Sequence, residues 1–565
     1  MRYVAIGLLG VCTAMAQTPS WDGLVDRYFE QADFHFNPSG GTSAGFHQYD
    51  SQLEDYSLNT IKQRAVVLRQ FEREVSGFPV AKLSPDQAAD REIVLGTIRS
   101  ALLDLEAIRG WETNPDRYSS TASNAVFVIM SRSYAPQPER LRAVIARERQ
   151  MPKMFENARV NLKNPPRIYT QVAIEQLPGI ISFFRKDVPL AFSGVKDEAL
   201  LAQFHETNAI VIRELERYEA FLQNDVLARS KGDFRLGAEN YRKKLLYDEM
   251  VDIPLDKLLQ IGYANLRQNQ ELFRETAKKI NPGKTPREIL TAAEKDHPTA
   301  AGLLPAFHDT LGGLRAYIVK HKIVTIPASV PPIVEETPPF MRALTSASMD
   351  TPGPYEKVAK EAYFNVTPPE KDWTPARVED LLESFNRGVI TSTSIHETYP
   401  GHYVQFLWVQ SAPSKVRKLL GASSNSEGWA HYCEQMMIDE GYGAGDLKLR
   451  LGQLQDALLR NARFVVGIDM HTGKMTFDQA VEFFVKEGMQ TRNTSEQEAK
   501  RGTSDPTYLY YTLGKLEIMK LREDYKAMRG SQYSLQEFHD RFLSQGFPPV
   551  KVVRRAMLGN DSPVL

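Results

Sequence analysis

Two histidines and a glutamate in the stretch "HETYPGH", residues 396 to 402, are residue types that bind a divalent metal. In peptidases that carry the H-E-x-x-H pattern, two histidines four residues apart leave one helix face toward Zn²⁺, and the glutamate activates a water. Here His396 and His402 are six residues apart. On a regular helix this spacing separates the two side chains by about 120° and about 9 Å, too far for one ion.

Pro400 and Gly401 can make the six-residue spacing of His396 and His402 compatible with a metal site. Proline lacks the N–H that would bond the carbonyl of His396, and its ring displaces that carbonyl. Glycine accepts the backbone angles that such a break demands. We therefore predict a helix interrupted at Pro400-Gly401, whose bulge returns His402 to the face of His396. Glu397 would keep the position of the general base; the alternative is two unconnected histidines beside a turn.

A second segment, "NSEGWAHYCEQMMIDEG" at residues 425 to 441, offers further ligands. On a helix, Glu427, His431 and Glu434 share one face at i, i+4 and i+7. Glu427 is the candidate third ligand and His431 is its rival on geometry alone. Glu434 is placed to hold a ligand imidazole by its second nitrogen. The apolar neighbours predict burial, and a buried carboxylate needs a cation or another partner.

The elements that must position these residues are mostly helical, because apolar residues recur every three or four positions along most of the chain. Residues 323 to 369 are the exception, since their many prolines exclude long helices. We predict a mainly α fold with a small β-sheet or edge strands near 323–369, in which "YFNVT" forms one strand. Plain surface loops are the alternative for this region.

The first sixteen residues have the form of a secretory signal peptide, with Arg2, an apolar run and an A-x-A site. We predict cleavage after residue 16 and a secreted or periplasmic protein, and we rank lipid attachment at Cys12 well below plain cleavage. Cys433 would then be the remaining cysteine, which excludes an intrachain disulfide. We expect no membrane insertion of the mature chain. The formal net charge of −1 argues against a nucleic-acid partner.

The two motifs together resemble a family catalogued as domain of unknown function 885. "HETYPGHYVQ" and "SEGWAHYCE" carry the resemblance, and "FNPSGGTSAGFHQYDSQLEDYS", "NPDRY", "VVGIDMHTGKMTFDQA" and "YYTLGKLEIMKLRE" extend it over essentially the whole mature chain. That family is similar to zincin-type metallopeptidases, among them the carboxypeptidase Taq, angiotensin-converting-enzyme and oligopeptidase families. The resemblance implies a two-lobed helical body with a deep cleft. Residues 17–322 would form the N-terminal helical lobe and 323–565 the metal-site lobe, together one catalytic unit.

For the site, the resemblance implies that His396, His402 and Glu427 bind one Zn²⁺ and that Glu397 is the general base. It leads us to expect no required histidine at position 431, which lowers His431 as a ligand. The six-residue spacing of the histidines departs from the H-E-x-x-H pattern of the related peptidases.

Peptide hydrolysis also needs a group that stabilises the developing oxyanion. "PTYLYYTLGKLE" is similar to a carboxypeptidase Taq segment whose tyrosine has this role, and the similarity favours Tyr511, three residues before Gly514. His471 is a second catalytic candidate, with Asp469 as its supporting carboxylate. His471 either donates to the substrate or caps a loop.

Two residues are candidates for substrate binding, Arg501 and Tyr508. Arg501 would bind a free carboxylate of the substrate, or would pair with Glu498 on the helix surface. The leading hypothesis is hydrolysis of peptide bonds in short peptides by a metal-activated water with a glutamate base. The alternatives are a metal hydrolase of another amide or ester, and a catalytically inactive protein that binds zinc or peptides.

Overall fold

A computed structural model describes residues 20–328, 330–338, 342 and 345–565. The predicted signal peptide, its cleavage site and Cys12 lie outside the described residues. Of the residues that the structure describes, 70% are helical and 3% are in strands, which confirms the predicted mainly α class. None of the helices in the described part of the chain combines the length and apolar character that crossing a bilayer requires.

The N-terminal half consists of helices joined by short turns. They are α1 (Trp21–Tyr28), α2 (Pro38–Ala44), α3 (Leu58–Gly77), α4 (Pro85–Leu103), α5 (Gly110–Thr113), α6 (Asp116–Met130), α7 (Gln137–Glu148), α8 (Met151–Asn161), α9 (Arg167–Ser182), α10 (Val188–Ala191), α11 (Glu198–Phe221), α12 (Leu227–Arg229), α13 (Gly237–Glu249), α14 (Leu255–Ile280), α15 (Pro286–Glu294) and α16 (Leu303–His321). Their starts follow local sequence: Ser84 and Thr285 begin α4 and α15 with capping boxes that satisfy the first backbone N–H groups.

The C-terminal half begins with three strands and continues with helices. They are β1 (Ile333–Glu336), β2 (Ala347–Asp350), β3 (Tyr363–Val366), α17 (Pro375–Ser384), α18 (Arg387–Glu397), α19 (His402–Val409), α20 (Lys415–Leu419), α21 (Ser423–Asp439), α22 (Leu447–His471), α23 (Phe477–Lys486), α24 (Arg492–Ser504), α25 (Tyr510–Arg529), α26 (Leu535–Leu543) and α27 (Val550–Leu558).

The three strands form one sheet of order β1-β3-β2, which confirms the small sheet predicted near 323–369. β1 pairs with β3 in parallel and β2 pairs with β3 antiparallel, so β2 is an edge strand. The Thr367 N–H bonds Ser346 O at 2.9 Å, and the register pairs Met349 with Phe364. Because hydrogen-bonded and non-bonded pairs alternate in an antiparallel ladder, the backbone N–H and C=O of Met349 point away from β3.

Buried apolar residues form several clusters. One contains only residues between 53 and 226, and a second contains only residues between 303 and 553. A third joins residues 21–111 to Val416, Leu420 and Val552, so both halves of the chain share it. α14 and α16 precede residue 322 and pack against C-terminal elements. The division into two lobes at residue 322 stays a prediction.

Two close helix crossings position the elements of the candidate site. At the first, a Cβ atom on Gly428 of α21 would lie 2.5 Å from Gly514 Cα of α25. At the second, a Cβ atom on Gly452 of α22 would lie 2.6 Å from Gly388 C of α18. The helix backbones approach this closely because these residues have no side chain. The first crossing brings Glu427 close to Tyr511, and the second brings α22 alongside the histidine helix.

Gly514→Ala should therefore destabilise the protein. The new Cβ would lie 2.6 Å from Ser424 C and closer still to the Ser424 carbonyl oxygen, which belongs to backbone and cannot turn away. We expect the free energy of unfolding to fall by about 1–3 kcal/mol, measured by urea denaturation. Gly312→Ala is the matched control, because a Cβ there meets nothing within 4 Å. That change should leave stability equal or raise it by up to about 1 kcal/mol; equal effects of the two changes would contradict the crossing argument.

Candidate metal centre

The helix that carries "HETYPGH" is interrupted where Pro400 and Gly401 predict a break. The N–H groups of Thr398 and Tyr399 both bond Ser394 O, at 3.0 and 3.2 Å, and the Gly401 N–H bonds Ile395 O at 3.0 Å. These bonds reach four, five and six residues back, so the last turn of α18 widens before α19 begins. The Tyr399–Pro400 peptide bond is cis.

The break brings the two histidines together. The ring centroids of His396 and His402 lie 4.8 Å apart, and the Nε2 atoms lie 3.3 and 3.4 Å from Glu427 Oε2. Donor atoms in a tetrahedral Zn²⁺ site, each about 2.1 Å from the metal, are about 3.4 Å from one another. The two distances to Glu427 therefore match a tetrahedral metal site. Among the described residues these three alone form a group of possible metal ligands, with all donor atoms within 4.8 Å of one another.

Glu434 makes the contact predicted for it behind His396. Its Oε1 lies 2.7 Å from His396 Nδ1. An ionised carboxylate only accepts hydrogen bonds, so His396 carries a proton on Nδ1 and turns its Nε2 toward Glu427. Nε2 and Glu427 Oε2, 3.3 Å apart, need a proton or a cation between them. The donor set thus fits a bound metal ion.

Neighbouring groups shift the pKa values of two candidate ligands, Glu427 and His396, in the direction opposite to burial. Burial alone would raise the pKa of Glu427, but His402 and His396 lower it well below its ordinary value. Burial likewise disfavours the charged form of His396, yet hydrogen bonds with Glu427 and Glu434 raise its pKa to about 9. Because only a neutral imidazole can ligate, cation binding would release this proton.

Glu397 connects the ligand helix to the sheet. Its half-buried carboxylate accepts a hydrogen bond from the backbone N–H of Met349, one of the outward groups of β2. Burial raises the pKa of Glu397, and the neighbouring His396 and His402 oppose that rise. The carboxylate is therefore fixed next to the two histidines at the edge of β2.

Tyr511 and Arg501 lie on the other side of the ligand group. The Tyr511 ring stacks at 6.2 Å from the His396 ring, and its hydroxyl accepts a hydrogen bond from Arg501 Nη2 at 3.2 Å. Glu498 hydrogen-bonds Arg463 at 2.6 and 2.8 Å and acts on Arg501 through its charge alone. The Arg501 side chain is 39% exposed and bonds Asp505 as well.

The structure does not bring His471 or Asp469 to this group. His471 is fully buried, its Nε2 lies 2.7 Å from Gly502 O, and its ring contacts Phe234 and Tyr241. On α22 it is eleven residues beyond Arg460, which is about 16 Å along the helix. Gly502 belongs to α24, so His471 contacts a helix carbonyl, and neither of its two predicted roles is observed. The cation nearest to the Asp469 carboxylate in the described residues is Lys474, at 4.0 Å.

Tyr508 does not reach the site either. Its side chain is fully buried in an apolar cluster, and its ring packs where a Cβ on Gly467 or Gly502 would otherwise stand. Burial raises the pKa of its hydroxyl well above the ordinary value. A residue with no exposed surface cannot contact a substrate, so the structure gives Tyr508 a packing role.

Sequence reasoning missed Arg460, whose Nη2 lies 3.0 Å from Glu434 Oε1. Arg460 lies on α22, and the crossing at Gly388 and Gly452 places that helix alongside α18. It also missed the backbone N–H of Met349 as the partner of Glu397. Nothing in the sequence marks Arg460 as a partner of Glu434, because Asp456, Asn461 and Arg463 lie close to it on the same helix.

Two solved structures and one family of proteins resemble this chain, whereas no curated protein matches it. A solved structure of a putative lipoprotein of unknown function from Shewanella oneidensis is 26% identical, with a TM-score of 0.79, and the match covers 95% of this chain and 100% of that one. A putative lipoprotein from Colwellia psychrerythraea is 19% identical, with a TM-score of 0.80 and coverage of 95% and 99%. The family model of the bacterial proteins of unknown function DUF885 matches residues 38–557. The chain therefore belongs to the DUF885 family, as the motifs "HETYPGHYVQ" and "SEGWAHYCE" indicate.

Proposed function

We propose that this protein is a zinc-dependent peptidase that hydrolyses peptide bonds in short peptides. The observation that supports this most is the convergence of His396 Nε2, His402 Nε2 and Glu427 Oε2, with Glu397 beside them. A zinc ion held there would polarise a carbonyl and lower the pKa of a water molecule. We also propose the zincin-like, two-lobed arrangement around a cleft as the fold that presents this site.

The chain's own residues have distinct tasks in this proposal. Glu397 accepts the proton of the attacking water and returns it to the leaving amine, while the Met349 N–H holds its carboxylate in place. Tyr511, stacked beside His396, donates its hydroxyl proton to the developing oxyanion. Arg501, partly exposed, pairs with a carboxylate of the substrate.

The edge strand favours a peptide over other amides. Strand β2 has no partner on its outer side within the described sheet, and its outward backbone groups lie next to Glu397. An extended peptide can add to such an edge through main-chain hydrogen bonds. That geometry would place its scissile carbonyl beside the ligand group.

Two other functions remain as candidates: a metal hydrolase of another amide or ester, and an inactive protein that binds zinc or peptides. A panel of short peptides, simple amides and esters, assayed with and without a chelator, separates the three. Chelator-sensitive cleavage of peptides supports the proposal. Cleavage restricted to the amides or esters supports the first alternative, and zinc binding without any cleavage supports the second.

His402→Ala should abolish stoichiometric zinc binding. The change removes one of three ligands and leaves two donor atoms, which do not make a closed site. Metal content after purification and dialysis, measured by atomic emission, is the readout. His308→Ala is the control, because that side chain is 78% exposed and contacts no residue of the site. Equal zinc in the two variants would contradict the site as drawn.

We further propose an extracytoplasmic location. The leader-like first sixteen residues support it, and the two solved relatives are described as putative lipoproteins. That description keeps acylation of Cys12 as the alternative to plain cleavage after Ala16. Metabolic labelling with a palmitate analogue distinguishes them, since only the acylated form retains the label.

A further inference from the structure

The Glu434 carboxylate behind the metal centre is held from three sides. His396 Nδ1 lies 2.7 Å from its Oε1, and Arg460 Nη2 lies 3.0 Å from the same oxygen. His431 Nδ1 lies 3.0 Å from the second oxygen, Oε2. The side chains of Glu434 and His431 are fully buried, so no solvent replaces a lost contact. With both oxygens engaged, the carboxylate has a single orientation.

That orientation determines which way the His396 ring faces. The ring can turn about its bond to Cβ, and its hydrogen bond to Glu434 opposes the turn, together with packing against His402 and Tyr511. A Glu434 carboxylate released on one side would let the ring leave the position in which Nε2 faces Glu427. Loss of a partner of this kind typically lowers metal affinity or activity about 10–100-fold.

His431 is suited to hold Glu434 and not to bind the metal itself. Its Nδ1 is engaged by Glu434, and its other nitrogen is not part of the ligand group. Burial and the nearby Lys515 lower the pKa of His431 to about 3, so it is a neutral donor. Its position four residues after Glu427 and three before Glu434 puts all three on one face of α21.

Arg460 holds the opposite side of the same carboxylate. Its guanidinium also lies 5.6 Å over the Tyr511 ring, so one side chain contacts both Glu434 and the proposed oxyanion donor. We propose that His431 and Arg460 are positioning residues: they fix the Glu434 carboxylate, which in turn fixes the His396 imidazole for the metal. The inference rests on the proposed zinc site and adds two residues that are not ligands.

The test compares two buried histidines. His431→Leu removes the donor to Glu434, whereas His539→Leu removes an equally buried histidine that bonds Tyr432 and Ile323 instead. Zinc affinity is measured by competition with a chromophoric chelator, and stability by thermal denaturation. We expect His431→Leu to weaken zinc binding roughly 10–100-fold while His539→Leu leaves it unchanged. His431→Asn, whose side-chain amide can replace the Nδ1 donor, should recover most of the affinity.

Variants of Arg460 test the same inference a second time and remain informative if His431→Leu does not fold. Arg460→Met should weaken zinc binding, and Arg460→Lys should weaken it less, because lysine keeps the charge but loses the fork geometry. The visible spectrum of the Co²⁺-loaded variants should change with the affinity, since it reports ligand geometry. Wild-type affinity in both His431→Leu and Arg460→Met would overturn the inference. Absence of zinc binding by the wild-type protein would instead overturn the proposed site, and the inference with it.

Discussion

Glu397→Gln is expected to retain zinc and lose peptidase activity by roughly 10²–10⁴-fold, the contribution typical of a positioned general base. Glutamine has nearly the same shape and can still accept the Met349 N–H through its amide oxygen. Glutamine cannot take a proton from water, so the change removes the general base and leaves the shape of the side chain nearly unchanged. The measurement pairs kcat on a cleaved peptide with the metal content of the same preparation.

Glu156→Gln is the control for this experiment, because the carboxylate it removes is exposed and bonds only Lys153. Its activity should equal that of the wild type. If Glu397→Gln kept full activity with zinc bound, Glu397 would not be the base. If it lost both zinc and activity, the role of Glu397 would be structural.

The candidate ligand group was predictable because its determinants are local. Pro400 removes a backbone donor and Gly401 removes a Cβ, and both effects follow from residue type whatever surrounds them. The face shared by Glu427 and Glu434 follows from helix periodicity in the same way. The mainly α class and the short sheet in the proline-rich stretch were accessible for similar reasons.

The rest of the site depends on contacts between distant segments. Arg460 lies close to Glu434 because α18 and α22 cross at Gly388 and Gly452. The residues next to Arg460 and Glu434 in the sequence do not predict that crossing. The contact of Met349 with Glu397 uses a backbone N–H, which every residue but proline carries. His471 was misplaced for a related reason: it is the last residue of α22, next to a loop in the sequence, and the packing of distant helices buries it in the core.

The position with the greatest expected effect on the site as a whole is Gly401. A Cβ there would lie 2.5 Å from His396 C and closer still to the carbonyl oxygens of His396 and Ile395. These are backbone atoms of the widened turn, so they can move only if the turn itself opens. Opening it separates His402 from His396, because the turn is what brings the two imidazoles within 4.8 Å.

Gly401→Ala should therefore abolish tight zinc binding without removing a single ligand atom, and should lower the free energy of unfolding by about 1–3 kcal/mol. Zinc affinity and urea denaturation measure the two effects on the same sample. Gly179→Ala, on α9, is the matched control because its Cβ meets nothing within 4 Å. Gly514→Ala strains a different place, the helix crossing next to Glu427, whereas Gly401→Ala strains the connection between the two histidines. Loss of stability with unchanged zinc affinity in Gly401→Ala would mean that the histidines meet for some other reason than this turn.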